Sequence, residues 1–224
     1  MHVTTTRFDL ATREGRRRAH ADLMLADHGF LRTVFQNFHW IDEQMARANQ
    51  PAPKHIARYA AMGFKTIINL RGEKDAGYYA LEQEACAAHG IELVNAPLGS
   101  REPPSKARVR WAKEVFESIA YPALMHCKSG ADRAGLMAAL YLHFHKGVQI
   151  EQAMNQLSLK YLHVKQGKTG MLDFFLARYL AYANERPIDF MRWIDEVYDP
   201  AEVRAQFHAT WWGTLLVDRV LRRE

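Results

Sequence analysis

Cysteine is nearly absent: the 224-residue chain has two, Cys86 and Cys127. Two thiols cannot staple a disulfide scaffold, and a reducing cytoplasm is the expected setting. Long apolar runs are missing as well, and no stretch approaches the roughly 20 residues that a membrane span needs. The first residues, Met1 to Leu10, lack the apolar core of a secretory signal. There is no internal repeat and no low-complexity tract. His20, His28, His143 and His145 are scattered without a ligand spacing that also has a partner set, so no metal site and no cofactor are expected.

What is present is an ordinary globular composition, 48% hydrophobic and 25% charged. The length fits one generous domain, or one domain with helical extensions. The formal net charge of +5 favours anionic partners, but by itself does not separate nucleic acid, membrane surface and phosphorylated substrates.

A basic helical pattern runs from Gly15 to about His28. Val34 to Ile41, rich in aromatic and β-branched residues, predicts a strand. Pro51 and Pro53 break the chain before a helix from about Lys54 to Met62, which Gly63 ends. A strand-helix-strand rhythm follows: Thr66 to Leu70, then Tyr78 to His89 closed by Gly90, then Ile91 to Asn95. Pro97 to Pro104 reads as a loop. Val109, Ala112, Phe116 and Ile119 share one face of a helix from about Ser105 to Ala120. Ala123 to His126 is a short strand, Arg133 to His145 a nearly all-apolar helix, and everything after Ile150 reads as helix. The alternation predicts an α/β fold, a parallel-dominated central sheet flanked by helices, with helical N- and C-terminal extensions. The expected divisions are a basic extension over 1–32, a domain carrying the chemistry over 33–182, and a C-terminal extension over 183–224.

The chemistry centres on His126-Cys127-Lys128-Ser129-Gly130-Ala131-Asp132-Arg133, between that short strand and the apolar helix. Where a strand turns sharply into a helix, loop amides can point inward as a nest for an anion. Such surroundings favour a thiolate at Cys127. Arg133 offers a planar fork to two phosphate oxygens, which lysine cannot. Gly130 permits close backbone approach to a ligand, and Gly135 lets the helix pack tightly. Cysteine and arginine five residues apart is a weak signal alone; the preceding apolar strand, adjacent His126 and following helix make it strong.

This loop resembles the His-Cys-x5-Arg signature of the protein tyrosine and dual-specificity phosphatase superfamily. Asn37-Phe38-His39-Trp40, Ala46-Arg47-Ala48-Asn49-Gln50-Pro51 and Gly63-Phe64-Lys65-Thr66-Ile67-Ile68-Asn69-Leu70-Arg71 resemble the entry to its compact atypical members in bacteria, plants and fungi. Gly99-Ser100-Arg101-Glu102-Pro103 resembles a loop of the plant and fungal group. The likeness covers about Thr33 to Tyr179. It implies a metal-independent phosphatase domain in which Cys127 attacks phosphorus, water hydrolyses the cysteinyl phosphate, and Arg133 with the loop amides carries the charge. Cys127, Arg133 and Asp132 are the implied catalytic residues; Lys128, Ser129, Gly130, Ala131, Arg71 and Glu102 are the implied substrate-binding ones.

Two features depart from the family pattern. Many relatives protonate the leaving group with an aspartate about thirty residues before the cysteine, whereas the matching loop here holds only Glu102. Asp132, Glu102 and Asp75 remain the candidate acids, and Asp132 is alternatively a carboxylate that orients Arg133 or caps the helix. Ala134 replaces the usual serine or threonine, which predicts slow breakdown of the intermediate. Both departures leave a pseudophosphatase, binding phosphorylated ligands without efficient turnover, as the alternative; a rhodanese-like sulfur transferase fits the arginine poorly.

Lys128, Arg71, Lys74 and Arg101 suggest a substrate with several phosphates or a phospholipid head group, or else a merely solvated basic rim. The expected partner is thus a phosphorylated protein, inositol phosphate or phospholipid, and not nucleic acid. Phe207, Trp211 and Leu215, with Trp212, Leu216 and Val220 beside them, form apolar rows in a C-terminal helix carrying Arg219, Arg222 and Arg223. It would either pack on its own domain or in a dimer, or lie peripherally on a membrane. Cys86 flanks the apolar face of its helix and reads as core.

Overall fold

Four short runs become parallel strands; the three inner ones are buried on both sheet faces, which removes the alternation of a half-exposed strand, and the fourth, at the sheet edge, is half-buried. The computed structural model describes residues 7–209, apart from the side chains of 33 and 34. The strands are β1 (His39–Trp40), β2 (Met45–Ala48), β3 (Thr66–Asn69), β4 (Glu92–Asn95) and β5 (Ala123–His126), in the order β1-β2-β5-β3-β4. Only the β1–β2 pairing is antiparallel. Strand β5 is central, and its last residue, His126, is in register with Ala48 of β2 and Asn69 of β3. The loops leaving all three strands therefore converge at one edge of the sheet. Ligand sites form at the carboxyl ends of such strands.

The mostly parallel sheet flanked by helices agrees with the expected α/β class. The strand expected over Val34–Ile41 is corrected: Leu31–Val34 forms a helical turn, α2, and only His39–Trp40 pairs in the sheet. Its partner, β2, is a separate strand that no apolar alternation in the sequence marks. Asp42 makes the corner between them, its Oδ1 accepting the amides of Gln44 and Met45 at 2.8 Å each. An aspartate serving its own following amides in this way closes a turn inside a run that otherwise reads as extended.

The described chain divides into two compact units. The first joins residues up to Leu98 with Ser118–Ala134 and holds the whole sheet; the second joins Gly99–Glu117 with residues from Gly135 onward. In the first, α1 (Arg13–Ala21) passes into a π-helical turn (Asp22–Ala26) and lies on α4 (Gly77–Ala88), while α3 (Pro53–Ala61) packs beside α4. Gly77 makes the α1–α4 approach feasible, since a β-carbon there would sit 2.4 Å from the Ala19 carbonyl oxygen. Asp22 caps α4 by accepting the Gly77 amide at 2.8 Å.

Helices α5 (Lys106–Ser118) and α6 (Asp132–Lys146) each run from one unit into the other. The second unit also contains α7 (Ile150–Ala153), α8 (Met171–Glu185) and α9 (Phe190–Glu196). Phe175, Phe190, Trp193 and Tyr198 make its aromatic core, and the Tyr198 hydroxyl donates to the Pro104 carbonyl at 2.7 Å. The stretch after Ile150 is less continuous than its pattern suggests: three 3-10 turns, from Met154 to Gly170, interrupt it. Phe207 is buried against Phe174, ring centroids 5.6 Å apart. The rest of the expected C-terminal apolar rows, from Trp211 on, lies outside the described residues.

Candidate active site

Strand β5 delivers Cys127 to the converging edge of the sheet, and the chain turns through Lys128–Ala131 before α6 begins at Asp132. Cys127 is buried, and its Sγ accepts the Gly130 amide at 3.2 Å. The remaining orientation of the loop is set from behind. Asn37 Nδ2 donates to the Ser129 carbonyl at 3.0 Å, and Arg47 Nη2 donates to the carbonyls of Gly130 and Ala131 at 2.8 Å each. In a trans peptide plane the carbonyl and the next amide point in opposite directions. Holding three successive carbonyls from one side therefore turns the amides of Gly130, Ala131 and Asp132 to the other side, where the thiol is. That is a nest of donors for an anion.

Gly130 is indispensable to this shape on two counts. Its φ is +74°, and a β-carbon would lie 2.7 Å from the backbone of Ala48. The loop is pressed against the end of β2, and Gln50 donates its amide to the Lys128 carbonyl at 3.3 Å. On the other flank the Leu70 amide donates to the His126 carbonyl at 2.9 Å.

Arg133 falls in the first turn of α6, where the unsatisfied amides of a helix start add positive potential. Its Nε is buried and has no hydrogen-bond partner among the described residues. A buried donor without an acceptor is costly, and next to an anion nest a ligand oxygen would satisfy it. Ala134 is fully buried and supplies no hydroxyl.

Beside the loop lies a polar network within the first unit. His126 Nε2 and Glu82 Oε1, both fully buried, approach to 2.6 Å. Gln50 donates to Glu82 at 3.0 Å and accepts from Arg71 at 2.8 Å. Arg71 in turn grips Asp27 with both Nη atoms, at 2.8 and 2.7 Å, and stacks 3.5 Å over the ring of Tyr78. Arg32 donates to Asp27 at 2.6 Å, and Lys128 Nζ stands 3.4 Å from the same carboxylate. Burial alone would push the Asp27 carboxyl up, but Arg71, Arg32 and Lys128 together hold it below the usual carboxylate range.

Of the residues singled out from sequence, Cys127, Lys128, Ser129, Gly130, Ala131, Asp132 and Arg133 share the loop and the first turn of α6, and Arg71 reaches Lys128 through Asp27. Ser129 is exposed, its Oγ accepting the Ala131 amide at 3.4 Å. Glu102 lies in the second unit, paired with Arg204 at 2.5 Å. Asp75 accepts the Arg7 amide at 3.3 Å. Cys86 is core, its thiol pushed up to about 12 by burial and by Glu82. Sequence reasoning passed over Asp27, Asn37, Arg47, Gln50 and Glu82 as site residues. Two of them carried a signal: Glu82 falls on the buried face of α4 with Tyr78, Leu81, Ala85 and Cys86, and Arg47 interrupts the fully buried run Met45–Ala48.

A central parallel strand ending in His-Cys, a loop with inward amides, and an arginine opening the next helix define the fold and signature of the protein tyrosine and dual-specificity phosphatase superfamily. The family described as DSP-PTPase phosphatase fused to NAD+ kinase matches residues 39–171. The chain belongs to this family. It is 32% identical over 101 residues to the probable chloroplastic NAD kinase 2 of Oryza sativa subsp. japonica, covering 44% of this chain and 10% of that protein. It is 31% identical over 104 residues to the inositol diphosphatase DSP1 of the same plant, covering 44% of this chain and 46% of that protein. The chain thus spans less than half the length of both curated relatives. The crystal structure of P. aeruginosa TpbA shares the fold, with a TM-score of 0.51 at 16% identity over 76% of this chain and 90% of that one.

Proposed function

We propose that this chain is a metal-independent phosphatase that hydrolyses phosphate monoesters through a cysteinyl-phosphate intermediate. The observation that carries the proposal is the buried Cys127 thiol facing the Gly130 amide at 3.2 Å, inside a loop whose carbonyls are held away from it by Asn37 and Arg47. In this reading the amides of Gly130, Ala131 and Asp132 bind the equatorial phosphoryl oxygens, together with Arg133. Cys127 Sγ bonds to phosphorus as the ester oxygen departs, and water then breaks the sulfur–phosphorus bond to release phosphate and restore the thiolate. Asp132, the candidate acid that stands on the loop itself, protonates the leaving oxygen.

Hydrolysis of 4-nitrophenyl phosphate, inhibited by vanadate, tests the reading. Cys127→Ser is expected to lower turnover by about 10³-fold or more while orthophosphate still binds. Comparable turnover in that variant would end the cysteine mechanism, and binding without turnover in the wild type would make the chain a pseudophosphatase. In the same assay, Asp132→Asn should lose more on an alkyl phosphate, whose leaving group needs a proton, than on the nitrophenyl ester. Equal losses on both would remove Asp132 as the acid. The phosphate-bearing compound that is turned over physiologically is proposed to be a phosphoprotein, an inositol phosphate or a phospholipid head group, the inositol class having support from the curated inositol diphosphatase relative.

A further inference from the structure

Asp27 comes from the segment before the sheet, outside the stretch that matches the family, yet it sits at the rim of the phosphate loop. It is a single carboxylate shared by three cations: Arg32, Arg71 and Lys128. Arg32 and Arg71 are almost sequestered, at 9% and 10% side-chain exposure, and Asp27 itself is at 6%. Both Nη atoms of Arg71 are committed to Asp27, with Gln50 as a further acceptor, and its face is covered by Tyr78. Lys128 differs. Its side chain is 43% exposed and its contact with Asp27 is the longest of the three, at 3.4 Å. Lys128 also follows the nucleophile directly, so a second anionic group of a substrate bound at Cys127 would meet it first.

We propose that Asp27 is a specificity-determining residue that restrains the basic rim: it holds part of the charge of Arg71 and Lys128 and opposes a second phosphate, so that the site discriminates less in favour of two adjacent phosphates than its basic residues alone would. The inference rests on the loop being an anion site, as the proposed function has it. Basic residues at the rim would by themselves suggest preference for multiply phosphorylated substrates; the carboxylate placed among them weakens that preference. An incoming second phosphate must displace Asp27 from Lys128 and then lie beside its negative charge, a like-charge contact in partly buried surroundings.

The test compares binding of inorganic pyrophosphate and orthophosphate by calorimetry in a Cys127→Ser background, with and without Asp27→Asn. The ratio of pyrophosphate to orthophosphate affinity is expected to rise about tenfold in the Asn variant, the order of one like-charge contact near a protein surface. Asp27→Glu, which restores the charge, should bring the ratio back toward that of the parent. A ratio that stays the same or falls in Asp27→Asn would overturn the inference. A merely structural role would weaken both ligands together and leave the ratio unmoved. Should the Asn variant fail to fold, Arg32→Gln supplies a second reading: releasing Asp27 from Arg32 strengthens its hold on Lys128, and the ratio should fall, whereas an unchanged or higher ratio overturns the inference. Wild-type turnover of nitrophenyl phosphate is measured alongside, so that loss of the phosphatase reading and loss of the Asp27 inference are separate results.

Discussion

Arg47 shows how a buried side chain can shape chemistry it does not touch. It is the largest of the fully buried side chains, and one of its nitrogens ties down two consecutive loop carbonyls. Lysine at this position keeps the charge but loses the rigid planar group that aims this one nitrogen at both oxygens. Arg47→Lys is expected to cost about 1–3 kcal/mol of stability through a poorly satisfied buried carbonyl. Turnover should fall about tenfold or more as the inward amides move by a fraction of an ångström. Urea midpoints and steady-state rates on 4-nitrophenyl phosphate would check both, and an unchanged rate would detach Arg47 from the cradle. The same logic explains why Cys127, Gly130 and Arg133 were readable in the sequence and Arg47 was not. The first three act within eight consecutive residues, where spacing is geometry. Arg47 acts on partners 83 and 84 positions away.

Helix α3 carries a pH dependence that its sequence does not advertise. Its N-cap residue is Ala52, which has no side-chain oxygen, and His55 compensates by accepting the Ala52 amide on Nδ1 at 3.1 Å. Gln36 Nε2 approaches the same nitrogen at 3.3 Å. Both contacts need Nδ1 unprotonated. Burial, then the cations Lys54 and Arg58, lower the folded-state pKa of His55 from 6.5 to about 4. The unfolded chain therefore takes up the proton first as pH falls. The contribution of this group to stability is complete above 6.5 and is lost as pH falls toward about 4,. Urea midpoints followed over that window should decline in the wild type, and His55→Gln should flatten that part of the curve. A parallel decline in the variant would assign the slope to other groups. The elements themselves were mostly legible, because Pro53 and Gly63 mark the limits of α3, and burial on both faces leaves β3 and β5 as short apolar runs. The exception was the segment from Val34 to Ile41, where strand-forming residues surround a turn closed by the side chain of Asp42.

At the scale of the whole molecule, the sheet and the cysteine loop belong to one unit, and Glu102 with most of the later helices to the other. No helix among the described residues is long and apolar enough to cross a membrane. The sequence by itself determined the superfamily, the cysteine loop with its arginine, and most of the strands and helices from Pro53 to Lys146. Each of these is written in local spacing, in the period of apolar residues or in a turn residue at a fixed offset. Tertiary structure alone decided that Asp27 stands among Arg32, Arg71 and Lys128, that Arg47 holds the loop carbonyls, and that Glu82 stands against His126. A charged residue can be buried only beside a partner; Asp27 has Arg32 five positions on, but Arg71 and Lys128 lie 44 and 101 positions away, and His126 lies 44 from Glu82 (71–27, 128–27 and 126–82 by number). Only the folded chain brings such positions together, and so the composition of the cysteine loop was readable while the charge that surrounds it was not.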